Sequence, residues 1–190
     1  MKMYINEIYA QLEAWRAERK ITAESQKQGY IINIMEEFGE LSQALRGLEF
    51  ENTRKVAEHE IIDALCDIAV FTINAGVHIP CELKHTKIEL KKSSLDADYI
   101  LKQMVEKCAE FSYFEWVDAP SFNIILINCA YLCENYGFNF EIAMNETIKE
   151  ISSRTGSYDE KAKKWIKDSS DEARAKWYKA DYEKARIKIP

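Results

Sequence analysis

Glycine and proline are scarce in this chain, 6 and 3 of 190 residues. So few turn-forming residues make long helices easier to build than a sheet-rich fold with many tight turns. Cations are not in excess either. The formal net charge of −6 leaves no basic footprint for duplex nucleic acid, and no nucleic-acid partner is expected. No stretch approaches the roughly 18 consecutive apolar residues of a membrane span, so no membrane partner is expected. The opening MKMYINEIYAQLEAW is charged early and has no apolar core, so it does not read as a signal peptide. Histidine is limited to 3 residues. Ser and Cys lack an evident adjacent His base, and neither G-x-S-x-G nor a Walker A loop is present, which argues against nucleophilic catalysis. The 5 cysteines, Cys66, Cys81, Cys108, Cys129 and Cys133, form no C-x-x-C pair. Each lies in an apolar helical context and reads as a reduced core thiol, so a cytoplasmic location is expected.

What the chain has in abundance is apolar residues at helical spacing. With 47% hydrophobic and 31% charged residues it can fold without being fibrous or disordered. Its length suits one domain with a sizeable core, or two small helical halves fused together. Ile5, Ile8, Tyr9, Leu12 and Trp15 form one face of a first helix. A second is expected from about Thr22 to Arg46, striped by Ile31, Ile34, Phe38, Leu41 and Leu45. A third, from about Thr53 to Gly76, turns almost wholly apolar after Glu60 and should be the most buried. A further helix could start near Pro80, and others are expected near Asp98–Glu115, Ala119–Tyr136 and Phe140–Ser153. The fold class expected is all-α. Residues 1–190 form a single domain in this reading, with an acidic half (1–79), a second helical half (80–153) and a charged, partly irregular tail (154–190) folded onto the body. GVHIPCELKHTKIELKK and GFNFEIAMNETIKEISS echo one another, which leaves two readings open: an internal pseudo-duplication, or two amphipathic helices of similar pattern.

The chemistry is carried by acids. Glu37 and Glu40 are three apart, as are Glu60 and Asp63, so each pair shares one face of its helix. Two such helices packed antiparallel could aim four carboxylates at one point, where they would repel unless cations neutralise them. Asp63 and Asp67 are embedded in the most apolar helix, where an ionised carboxylate is costly unless paired or metal-bound. Oxygen ligands of this kind suit Mg²⁺. Gln26, Tyr30 and Asn33 precede Glu37 at spacings of four, three and four. They share its face, with amides that could read a base edge and a ring that could stack on it.

MEEFGEL and EIIDALCDI, with 19 residues between Glu40 and Glu60, resemble the EExxE…ExxD signature of the all-α nucleoside triphosphate pyrophosphohydrolases. These include MazG-type enzymes and the dimeric dUTPases. The resemblance covers roughly residues 20–79 and 137–158. It implies a MazG-like helical bundle in which Glu37, Glu40, Glu60 and Asp63 ligate Mg²⁺, with Mn²⁺ able to substitute. It implies that Glu36 is a further acid or orients the attacking water. The reaction implied cleaves a nucleoside triphosphate between the α- and β-phosphates, giving the monophosphate and pyrophosphate. Asn74 stands where MazG-like helices often carry Asn. Asn145, Lys149 and Arg154 match the family's later N-x-x-x-K…R run, with Tyr158 just beyond, and would meet the phosphates. Minimal relatives build each site from two subunits, so the resemblance implies a homodimer or a self-contained pseudo-dimer. Two other classes compete. A carboxylate di-iron protein would need two E-x-x-H motifs, and only Glu82–His85 matches. A non-enzymatic helical interaction module would use the acids only as a polar seam.

Overall fold

Helical periodicity becomes helix along most of the described chain. The computed structural model describes residues 2–3, 5–50, 52–76, 88–89, 97–113, 119–162 and 164–188. Helix α1 (Ile5–Glu18) buries Ile8, Tyr9 and Leu12 on one face. Helix α2 (Ala23–Gly47) starts at Thr22, whose side chain accepts a hydrogen bond from the Ser25 amide. A short connection returns the chain as α3 (Arg54–Ala75), which ends at Gly76. From Ile61 onward nearly every residue of α3 is buried, the exceptions being Asp63, Asp67 and Phe71. Helices α4 (Ala97–Tyr113), α5 (Ala119–Asn135) and α6 (Phe140–Ser153) follow. The Asn139 side chain caps α6 through the Ile142 amide.

The helix with apolar residues nearly all round its second half lies at the centre. Helix α3 packs against α1, α2, α5 and α6, while α4 lies against α2 and α5. Tyr30 of α2, Phe111 of α4 and Phe122 of α5 meet in the core, with the Tyr30 ring edge-on to Phe111 at 5.0 Å. Cys66, Cys108, Cys129 and Cys133 are buried free thiols. Cys81, His78, the Glu82–His85 motif and the helix expected near Pro80 lie outside the described residues. Among the described residues no helix is long and apolar enough to cross a membrane.

The segment beyond Arg154 is more ordered than its composition suggests. Strands β3 (Gly156–Asp159) and β4 (Lys164–Lys167) form an antiparallel hairpin in which Tyr158 faces Trp165. A further antiparallel pair joins β1 (Lys2–Met3) to β2 (Ile88–Glu89). After the hairpin come a one-turn helix α7 (Asp171–Arg174) and a 3₁₀ turn at Tyr182–Ala185. Tyr182 and Ala185 join the main hydrophobic core, and Arg186 stacks on the Phe138 ring at 4.3 Å.

Two glycines make opposite demands. Gly137 ends α5 with φ of +82°, and the Phe138 amide bonds back to the Cys133 carbonyl. Gly39 lies inside α2, and a Cβ at either position would meet nothing within 4 Å. Gly137→Ala is therefore expected to destabilise by about 1–2 kcal/mol through backbone conformation alone. Gly39→Ala should instead stabilise the metal-free chain by about 0.5–1 kcal/mol through helix propensity. Urea denaturation of both variants checks the contrast.

Candidate metal centre

The turn between α2 and α3 sets the height of every acid on the two helices. Glu37 is ten residues from the end of α2, and Asp63 is nine from the start of α3. In an antiparallel hairpin of helices both therefore lie about 14–15 Å from the turn. Glu40 and Glu60 form the next level towards the turn, and Asp67 the next level away from it. The positions are matched in height, but their environments differ. Glu37 is 8% exposed, whereas Glu36, Glu40 and Glu60 are exposed and Asp63 and Asp67 are half-buried.

The electrostatics follow from this grading. Burial, then the charges of Glu40, Asp63 and Glu36, push the Glu37 carboxyl up to about 8, against the opposing pull of Arg154. Its Oε2 is buried without a hydrogen-bond partner. Burial also raises Asp63. There the Tyr182 hydroxyl and Arg154 pull down, while Glu150 and Glu40 push up. Asp67 is raised well above the usual carboxylate range by burial, then by Asp63 and Glu37. Glu40 thus acts on Glu37 and Asp63, and Glu37 and Asp63 act on Asp67. Glu60 is not among the principal charges acting on any of them. Among the described residues no three Asp, Glu, His or Cys side chains already close into a group that could hold a metal ion. A set of acids raised in this way takes up either protons or a cation, and the unpartnered Glu37 oxygen is a hard donor suited to a divalent ion.

Helix α6 supplies a second row of charge. Arg154 donates to Glu150 at 2.9 Å, and its charge reaches Glu37, Asp63 and Asp67. Lys149 is exposed and bonded to Glu146 at 2.6 Å. Asn145, one turn before Lys149, accepts from Gln11 and donates to the Glu141 carbonyl. Tyr158 lies under Lys20 and, with Arg19, Arg154 and Trp165, lines a cavity of about 340 Å³.

Of the residues expected to meet a base, Gln26, Tyr30 and Asn33, the structure does not leave all three on one open face. Tyr30 is 1% exposed and shares its hydroxyl with Thr72, so its ring is a core element with no free face for stacking. Asn74 is buried, and its side-chain oxygen accepts from buried Arg16 at 2.6 Å. Gln26 and Asn33 are half-buried on α2, with Asn33 at the height of Asp67. His59 bonds Glu183 at 2.7 Å, which places it in a contact with the chain's end segment.

Three groups join the site that the acidic spacing did not single out. Asp67 was legible as an acid one turn beyond Asp63 on an apolar helix. Glu150 stands one turn before Arg154, a spacing that signals an ion pair. Tyr182 donates to Asp63 Oδ1 at 2.5 Å from 119 residues away, and nothing local in the sequence marks it. No family model, curated protein or solved structure matches the chain.

The two kinds of buried carboxylate give stability opposite pH dependences. Glu37 keeps its proton up to about pH 8 when folded but loses it near 4.5 when unfolded. Folding therefore weakens as pH rises through that window. Glu146 is 1% exposed; burial alone would raise it, yet bonds from Lys149, Tyr178, the Asp181 amide and Lys184 hold it down to about 2. Its contribution is present above about 4.5 and is lost as pH falls towards 2. In EDTA, Glu37→Gln should raise stability at pH 8.5 and leave it nearly unchanged at pH 4.5. Glu146→Gln should lower stability at neutral pH and flatten the acid limb. Denaturant midpoints across pH 3–9 measure both.

Proposed function

We propose that the chain hydrolyses a nucleoside triphosphate, and we favour a deoxynucleoside triphosphate, to the monophosphate and pyrophosphate in a Mg²⁺-dependent reaction on a MazG-like helical bundle. The observation that carries this reading is Glu37 Oε2, a buried carboxylate oxygen without a partner, lying among Glu40, Asp63 and Asp67. Glu37, Glu40 and Asp63 would hold the ion, with Glu60 at the outer level and Asp67 at the inner one. Bound there, Mg²⁺ would neutralise and polarise the phosphate oxygens.

The chain's own groups supply the rest. Exposed Glu36, beside Glu37 on α2, is suited to orient a water and accept its proton. Arg154 already acts on the acids from the α6 side, and its guanidinium would balance charge gathering on the leaving pyrophosphate. Lys149 serves the same end only by exchanging Glu146 for a phosphate, since the two are bonded in the ligand-free chain. Base selection would fall to Gln26 and Asn33 rather than to the buried Tyr30 or Asn74.

A panel of nucleoside and deoxynucleoside triphosphates, with separate pyrophosphate and phosphate readouts, tests the reading. Mg²⁺-dependent release of pyrophosphate is expected, and Asp63→Asn should abolish it while circular dichroism stays helical. Turnover of none of the panel, or near wild-type turnover in Asp63→Asn, contradicts it. Lys149→Ala should raise KM for the triphosphate without weakening Mg²⁺ binding. An equal loss in both would mark Lys149 as structural.

A further inference from the structure

The chain's end segment reaches the acid cluster at one atom. Tyr182 is 5% exposed, and its hydroxyl lies 2.5 Å from Asp63 Oδ1 and 2.9 Å from Thr147 Oγ1. Thr147 is buried on α6, and its hydroxyl also reaches the Ala143 carbonyl at 3.2 Å. Each hydroxyl has a single proton. When Tyr182 gives its proton to the Asp63 carboxylate, its oxygen can only accept, so the one Thr147 proton is shared between Tyr182 and the Ala143 carbonyl. Tyr182 thus donates to Asp63 and contacts Thr147 behind it, which ties α6 and the end segment to α3.

The segment carrying Tyr182 is itself held on both sides. The Ala180 amide donates to Glu150 at 2.8 Å, the Asp181 amide to Glu146 at 3.2 Å, and Glu183 accepts from His59 at 2.7 Å. With the ring buried and both flanks bonded, the hydroxyl has little freedom to leave Asp63. We propose that Tyr182 is a positioning residue for Asp63. Its hydroxyl fixes one carboxylate oxygen and so leaves the other for the cation. This rests on the reading of Asp63 as a metal ligand. Groups that orient a ligand in this way typically change metal affinity by about 10- to 100-fold when removed.

Tyr178 provides a matched control. It lies on the same segment, and its hydroxyl bonds a different buried carboxylate, Glu146. Mn²⁺ affinity of the full chain, read by electron paramagnetic resonance, is compared for wild type, Tyr182→Phe and Tyr178→Phe, with thermal unfolding in EDTA alongside. Both variants should unfold at lower temperature, since each loses a buried hydroxyl bond. Only Tyr182→Phe should weaken Mn²⁺ binding, by about ten-fold or more. Wild-type affinity in Tyr182→Phe, or equal weakening in both variants, overturns the proposal and leaves the metal reading standing. No Mn²⁺ uptake by the wild type removes both. If Tyr182→Phe does not fold, Thr147→Val removes the hydroxyl behind Tyr182 and should also weaken Mn²⁺ binding. Unchanged affinity in that variant overturns the proposal.

Discussion

Negative charge inside a helix hairpin is the constraint around which this chain is organised. Helices α2 and α3 bring Glu37, Asp63 and Asp67 into surroundings where burial and neighbouring carboxylates raise all three. Such groups weaken a fold unless protons or cations accompany them. An inert core would have no reason to carry three of them, because apolar residues of the same volume would pack α2 on α3 with less penalty. The conflict between local cost and overall stability is the reason the hairpin is proposed as the site.

The rest of the chain divides into parts that fill the core and parts that tend the acids. Helices α4 and α5 mainly enclose the apolar side, where Met104, Cys108, Ile125 and Cys129 are buried. Helix α6 and the end segment face the charges. They treat two groups of carboxylates in opposite ways. Glu146 is saturated with donors and held far below the usual range, which makes it a structural anchor. Glu37 keeps an oxygen with no donor at all. That difference is what supports the proposal of an outside ligand at Glu37.

The helices were legible because their apolar residues recur every three or four positions, and caps at Thr22 and Asn139 mark where two of them begin. The paired acids were legible for the same reason, since helical spacing fixes which side chains share a face. Spacing says less about depth. Tyr30 and Glu37 lie on one stripe, and the structure packs the first into the core and leaves the second buried with an oxygen that accepts no hydrogen bond. Glu60 was expected beside Glu40 as a metal ligand, and the charges acting most on the deeper acids include Glu40 but not Glu60. The hairpin of β3 and β4 was hidden by short strands in a charged segment. The Tyr182 contact was hidden by sequence distance, because only the tertiary fold joins positions 63 and 182.

The most direct test of the account is the position of an ion. Crystals grown with Mn²⁺ and a non-hydrolysable deoxynucleoside triphosphate analogue would show it by anomalous scattering. The account predicts a peak bounded by Glu37, Glu40 and Asp63, with the analogue's phosphates on its α6 side near Arg154. A peak elsewhere, or bound analogue with no ion at those carboxylates, would contradict it.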